Sequence, residues 1–325
     1  MWIGLTRRLA TPLLLAAATV TAACAGPGEP VEIPTTQGYD FADFAATPPA
    51  DVPLTARLVL PESGAVRGAA ILSHGAGGTG GRQDRAAVLL AQNGIAALVL
   101  DHFSARGIRS VARDQIRLTE QQMAADIFAA RDLLAERLSL DPSQIGAIGW
   151  SKGATAVTLA AVERFAGFLA PDRPPLAFAA AFYPFCGFRL DDEALATPLL
   201  LLLAGQDDWT PSAPCVRQAQ AWRQAAQPID WALYEDASHG FDSRSGRFTV
   251  SRAITVRDTG PRCTLAVDAT GRTVSLDRAL ALDTVAARTD YLAACGERGV
   301  TFAGDDAAGA AAAERLLGFL AQRLP

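Results

Sequence analysis

The sequence predicts an α/β fold: a mainly parallel sheet with helices packed on both of its faces. Three observations predict it. Short apolar runs alternate with helical patterns along most of the chain. The runs are nearly continuous rather than alternately apolar and polar, as strands buried on both faces are. Half of the 325 residues are apolar, enough for a large core and too many for a disordered chain. In chain order the strand runs are Arg57–Leu60, Ala69–Ser73, Ile95–Leu100, Ile145–Gly149, Leu176–Phe182, Pro198–Leu203 and Ile229–Tyr234. Helical patterns lie between them near Asp84–Gln92, Leu118–Arg137, Lys152–Phe165 and Pro214–Gln224. A last helix covers about Asp306–Arg323, where the alanine run is read as helix because alanine is the best helix former.

The two ends of the alternation read differently. Residues 1–25 have the form of an export signal: Arg7 and Arg8, an apolar stretch Leu9–Val20, and small residues Ala22-Ala23-Cys24-Ala25. The apolar stretch is too short to span a bilayer. Cys24 follows Thr21-Ala22-Ala23, which resembles a bacterial lipoprotein box, so Cys24 is a lipidation candidate and ordinary cleavage nearby is the alternative. The expected location is therefore periplasmic, lipid-anchored at a membrane, or secreted. Residues 26–50, rich in Pro, Gly and Thr, read as a tether or irregular lead-in. Residues 51–325 read as one domain, with residues 243–305 as an insertion before the last helix. Within it a hairpin is expected over Cys263–Leu276 and a helix near Leu280–Ala294.

Composition narrows the function. The net charge is −5 and there is no basic stripe, which excludes an ordinary nucleic-acid binder. Only three histidines occur, His74, His102 and His239, and they lack the short spacing of a zinc site, so no metal is expected. Removal of the signal leaves Cys186, Cys215, Cys263 and Cys295. An even number in an exported chain suggests disulfides, with three connectivities open.

Gly149-Trp150-Ser151-Lys152-Gly153 fits the G-x-S-x-G turn that presents a serine nucleophile, and it stands between a strand and a helix as that turn requires. Asp207 and Asp208 follow the five-leucine strand, and His239 follows the next one. The order Ser, Asp, His is that of α/β-hydrolases rather than of chymotrypsin or subtilisin types. An acyl-transfer site also needs two N–H groups aimed at the developing oxyanion. Lys152 supplies one through its backbone, and the loop Ser73-His74-Gly75-Ala76-Gly77-Gly78 supplies the other at Ala76 or Gly75. A rival reading uses the same loop. Gly75-Ala76-Gly77-Gly78-Thr79-Gly80 is literally G-x-G-x-x-G, with Asp101 closing the next strand, which would suit a dinucleotide-binding oxidoreductase. That reading leaves Ser151, Asp207 and His239 unexplained.

These stretches resemble the dienelactone hydrolase family of α/β-hydrolases. The resemblance rests on Ile71–Gly78, Asp101-His102-Phe103-Ser104-Ala105-Arg106-Gly107, Gly149–Gly153, Phe182-Tyr183-Pro184-Phe185-Cys186, Gly205–Pro211 and Ser238–Asp242. It implies an α/β-hydrolase fold, no cofactor, a small-molecule ester or lactone substrate, and a triad of Ser151, Asp207 and His239. Asp207 is preferred over Asp208 because the family's acid stands four residues before a proline, here Pro211. The chain departs from the founding members, which carry a cysteine where Ser151 stands and a glutamate on the oxyanion side, where this chain has Ser73-His74-Gly75. Pocket candidates are His74, His102, Phe103, Tyr183 and Trp209. In such a fold consecutive late strands are neighbours, which implies a Cys186–Cys215 bridge and leaves Cys263–Cys295 to clip the insertion. Competing functions are a prolyl-oligopeptidase-like peptidase and an inactive hydrolase-fold binding protein at the cell surface.

Overall fold

A computed structural model describes residues 26–46 and 52–325 of the chain. The expected export signal 1–25, with Cys24, lies outside the described residues, as do residues 47–50 of the expected lead-in and Asp51.

Eight strands form the central sheet: β1 (Glu29–Thr35), β2 (Val52–Val59), β3 (Gly68–Ser73), β4 (Ile95–Asp101), β5 (Ile145–Trp150), β6 (Ala179–Phe182), β7 (Leu199–Ala204) and β8 (Ile229–Tyr234). Their spatial order is β1-β2-β4-β3-β5-β6-β7-β8, parallel throughout except that β2 runs antiparallel to both β1 and β4. All the strand runs expected from the sequence are present, with ends shifted by a few residues. The parallel strands are continuous in sequence because alternate residues feed two different cores. Ile71, Leu98, Leu199, Leu201 and Leu203 pack into one, while Ala70, Leu72, Ala97, Val99, Leu200 and Leu202 pack into the other.

The helices divide accordingly. On the first core lie α3 (Glu120–Leu138), α4 (Lys152–Ala161), α5 (Glu163–Leu169) and α6 (Ser212–Gln224), together with the short α1 (Phe41–Ala46). On the second lie α2 (Gly81–Gln92) and α8 (Asp306–Ala321). Helix α3 starts where Thr119 accepts the Gln122 N–H, and α8 where Asp305 accepts those of Ala307 and Ala308. The single helix expected over Lys152–Phe165 is two. Val162 is extended (φ −77°, ψ 127°) because it bridges to Leu195 and the neighbouring Ala161 carbonyl accepts from Ala196 and Thr197.

Residues 26–50 also differ from expectation. Over its described part the segment is no tether: it forms the edge strand β1, paired residue by residue with β2 from Glu29↔Leu58 to Thr35↔Val52, and then α1. Val31, Ile33 and Thr35 point inward while Pro30 and Pro34 point out. An edge strand tolerates proline because one side of its backbone has no partner, and the prolines had concealed the period of two.

Residues 243–305, expected to be an insertion, contain more strand than expected. Strands β9 (Phe248–Thr255) and β12 (Glu297–Phe302) pair as an antiparallel ribbon, and between them lie the expected hairpin, β10 (Leu265–Val267) with β11 (Thr273–Ser275), and helix α7 (Val285–Cys295). Both expected disulfides form. Cys186–Cys215 joins the segment after β6 to α6, and Cys263–Cys295 joins the hairpin to α7. The second bridge closes a loop of 32 residues, so its loss is expected to cost roughly 4 kcal/mol by the chain-entropy argument. A Cys263→Ser, Cys295→Ser double variant should melt measurably lower than the wild type, and an unchanged melting curve would count against the bridge.

Candidate active site

The site lies where the parallel strands end at their carboxyl edge, the position at which open α/β sheets carry their ligands. Ser151 occupies the turn between β5 and α4 with φ 52° and ψ −120°, a strained conformation for a residue with a Cβ. The flanking glycines are needed for close approach. A Cβ on Gly149 would meet the Gly153 carbonyl oxygen at 2.3 Å, and one on Gly153 would meet the Ser73 carbonyl oxygen at 2.3 Å.

Two further loops complete a hydrogen-bonded row. His239 Nε2 is 3.0 Å from Ser151 Oγ, and His239 Nδ1 is 2.8 Å from Asp207 Oδ2. Asp207 Oδ1 accepts the N–H groups of Trp209 and Thr210, both at 2.8 Å, which aims the other oxygen at the imidazole. The pattern assigns the proton to Nδ1 and leaves the Nε2 lone pair facing the serine hydroxyl. Tyr183 and Trp209 hold the imidazole, with ring centroids 4.6 and 4.8 Å away. Thr210, a residue that no motif singles out, sits with Oγ1 3.1 Å from Nδ1 and donates to the Tyr183 carbonyl oxygen at 3.0 Å.

Asp208 points elsewhere. Its oxygens accept the N–H and hydroxyl of Thr301 at 2.7 and 2.9 Å, which fastens β12 of the insertion to the loop carrying Asp207. Asp242, three residues beyond His239, accepts from Trp150 Nε1 at 2.7 Å and from the Tyr183 hydroxyl at 2.5 Å. It therefore ties the histidine loop to the strand that carries the nucleophile.

A second Ser–His–Asp row stands beside the first. Ser73 Oγ is 2.9 Å from His102 Nε2, His102 Nδ1 is 2.8 Å from Asp126 Oδ2, and Arg106 holds Asp126 with two bonds of 2.8 Å. Ser73, His102 and Asp126 are all completely buried, so no reactant reaches them. Exposure and backbone strain, not the identity of the three residues, distinguish Ser151 from Ser73.

Of the five pocket candidates only Trp209 lines the cavity. His102 belongs to the buried row, Phe103 packs on His74 with centroids 4.4 Å apart, and Tyr183 lies behind His239. His74 is buried too. Its Nδ1–H donates to the Gly75 carbonyl oxygen at 2.8 Å and its Nε2 accepts the His102 N–H at 3.1 Å. Burial, and then the neighbouring His102, push its pKa down to about 3. A proton on Nε2 would set donor against donor. The unfolded chain therefore takes up a proton that the fold refuses, and stability is lost as pH falls from about 6.5 toward 3. Between pH 7 and pH 5 the His74 contribution to that loss is about 2 kcal/mol. Urea unfolding at the two pH values should register it, and His74→Gln should flatten the dependence; identical slopes would refute it.

The loop after β3 passes close to the nucleophile: a Cβ on Gly75 would lie 3.2 Å from Ser151 Cβ. The Ala76 carbonyl is turned away, accepting from Val111 N–H at 2.8 Å and Ser110 Oγ at 2.9 Å. Lys152 is the first residue of α4, where the N–H has no acceptor within the helix. Its side chain, from the only lysine in the chain, is buried and pairs with Glu120 at 2.5 Å while donating to the Gln115 carbonyl oxygen at 3.1 Å. Burial lowers its pKa, against the pull of Glu120. The G-x-G-x-x-G reading finds no support in this geometry. A Cβ on Gly77 or Gly80 would meet nothing within 4 Å, and Asp101 is occupied by Phe103 N–H, Ser104 N–H and Ser104 Oγ. Among the described residues no group of three or more His, Cys, Asp or Glu side chains is placed to hold a metal ion.

A cavity of about 100 Å³ opens at Ser151. Its lining includes Lys152, Glu120 and Phe185, and residues 243–305 contribute Ile254, Val256, Leu265, Leu282, Arg288 and Tyr291. None of these insertion residues carries a sequence motif.

A sequence profile of the dienelactone hydrolase family matches residues 54–258. Uncharacterised proteins from two strains of Mycobacterium tuberculosis are 31% identical over 176 residues, a match covering 50% of this chain and 60% of theirs. The chain thus aligns with less than two thirds of the length of these relatives. Among solved structures, a propionate-bound esterase from Thermogutta terrifontis is 18% identical, with a TM-score of 0.46 over 64% of this chain and 85% of its own.

Proposed function

The chain belongs to the dienelactone hydrolase family, and from that premise we propose that it is an exported serine hydrolase of small carboxylic esters or lactones. The fold is the α/β-hydrolase fold of that family. The observation that carries the reading is the row Ser151–His239–Asp207, with spacings of 3.0 and 2.8 Å, opening on a cavity. Ser151 Oγ attacks the ester carbonyl as His239 Nε2 takes its proton. Asp207 keeps the imidazole in the required tautomer and stabilises its cation. The N–H groups of Lys152 and of Ala76 or Gly75 receive the oxyanion. His239 then gives the proton to the leaving alcohol, and water, activated by the same imidazole, releases the acid from the acyl-enzyme.

The buried, ion-paired Lys152 ammonium takes no part in proton transfer in this scheme. The small cavity walled by the insertion favours a small ester over a polypeptide. Two disulfides suit an oxidising compartment, which supports reading residues 1–25 as an export signal, with Cys24 as the lipid-anchor candidate. Among the described residues no helix is long and apolar enough to cross a membrane. Lipidation would keep Cys24 as the first residue after cleavage, whereas ordinary cleavage would remove it, and residues 243–305 are read as an insertion within the same domain. The test is an activity screen with nitrophenyl esters of graded acyl length, lactones and peptide amides. Short esters or lactones should be cleaved fastest, and activity confined to peptide amides would overturn the proposal.

A further inference from the structure

Arg288 stands out among the buried polar groups. It comes from α7 of the insertion, is 6% exposed, and lines the cavity that opens at Ser151. Its Nε donates to the Leu282 carbonyl oxygen at 2.8 Å and its guanidinium stacks on the Tyr39 ring, 4.8 Å from the centroid. Its Nη2 is buried and has no hydrogen-bond acceptor among the described residues. A buried N–H of this kind costs free energy unless something accepts from it, and arginine is always charged. The bond to Leu282 and the stack on Tyr39 hold the guanidinium in place, so the donor is preorganised.

The positive charge around it is already compensated. Lys152 and Arg288 face the carboxylates Glu120 and Asp40, and Asp114 and Asp258 add negative charge near Tyr39 and Tyr291. Glu120 is held by Lys152 at 2.5 Å, and Asp40 accepts from Phe41 N–H, Thr273 N–H and Thr273 Oγ1. What is missing is an acceptor atom, not a negative charge. The rest of the lining is largely apolar, with Ile116, Phe185, Ile254, Val256, Leu265 and Leu282.

We propose that the Arg288 guanidinium hydrogen-bonds a neutral acceptor oxygen (a keto, ether or hydroxyl oxygen) on the substrate group held in this cavity. The enzyme would then select short oxygen-bearing esters over all-carbon chains of equal length. This deepens the serine-hydrolase reading and rests on it. An apolar wall of this type cannot strongly reject an extra methylene, whereas an unpaired buried donor penalises every ligand that leaves it unpaired.

The test compares matched esters with the wild-type protein. On the acyl side the pair is 4-nitrophenyl pentanoate and 4-nitrophenyl 4-oxopentanoate; on the alcohol side it is butyl acetate and 2-methoxyethyl acetate. In at least one pair the oxygen-bearing ester should have a kcat/KM about tenfold to a hundredfold higher. In Arg288→Met that ratio should fall toward one, and in Arg288→Lys it should be partly kept, with melting temperatures recorded for each variant. Equal kcat/KM within both pairs would overturn the role of Arg288 and leave the hydrolase reading standing. Cleavage of none of the four esters would overturn both. A carboxylate-ended ester preferred over both neutral members would overturn the assignment of a neutral acceptor.

Discussion

Ser151→Ala is expected to lower kcat for ester hydrolysis by roughly 10⁴–10⁶-fold and to abolish labelling by a fluorophosphonate probe. The size of the effect follows from the chemistry. Without Oγ there is no acyl-enzyme, and the imidazole has no hydroxyl to deprotonate. The residual rate, about 10³–10⁴-fold over water, would come from the oxyanion donors and from binding. The variant should fold as the wild type does, because among the described residues Ser151 Oγ bonds only His239. Alanine keeps the Cβ whose strain the turn already tolerates. Labelling that persists in Ser151→Ala would transfer the nucleophile elsewhere. A folded wild type that fails to label would sink the serine-hydrolase proposal.

Asp207→Asn and Asp208→Asn should separate by at least 100-fold in kcat, although the residues are adjacent. Asp207→Asn places an amide against His239 Nδ1, which favours the wrong tautomer and leaves Nε2 carrying the proton; a loss of about 10⁴-fold is the usual consequence. Asp208→Asn removes charge from a carboxylate whose bonds among the described residues go only to Thr301 of β12. About 1 kcal/mol of stability and less than a tenfold change in rate are expected from two weakened hydrogen bonds. Equal losses would remove the assignment of Asp207 as the acid.

Much of this arrangement is legible in the residue string. The continuous runs Ala69–Ser73 and Leu199–Leu203 announce doubly buried strands, and Gly149-x-Ser151-x-Gly153 announces a turn that a Cβ at either glycine would block. Because such a turn is a local steric requirement, it leaves a local signature. Asp207 and His239 are visible because each directly follows a strand of recognisable pattern. Thr210, Asp126 and Arg288 were not. Each acts on a residue far along the chain, His239, His102 and the cavity respectively, and long-range partners impose no spacing rule on the sequence. The lead-in departs from expectation for a different reason. Pro30 and Pro34 argue against a strand in general, and only the free edge of a sheet makes them harmless.

Chain order already sets His239 apart from His74 and His102, but it leaves the roles of those two open. The sequence by itself determined the layered α/β architecture, the nucleophile turn, and the order Ser151, Asp207, His239, because backbone sterics and hydrophobic period act over a few residues. Only the tertiary structure decided that His74 and His102 are structural, that Asp208 serves the insertion, and that α7 delivers Arg288 to the cavity. Those outcomes depend on burial and on contacts between segments remote in sequence. Such contacts alone determine which polar group meets a reactant and which is consumed within the fold.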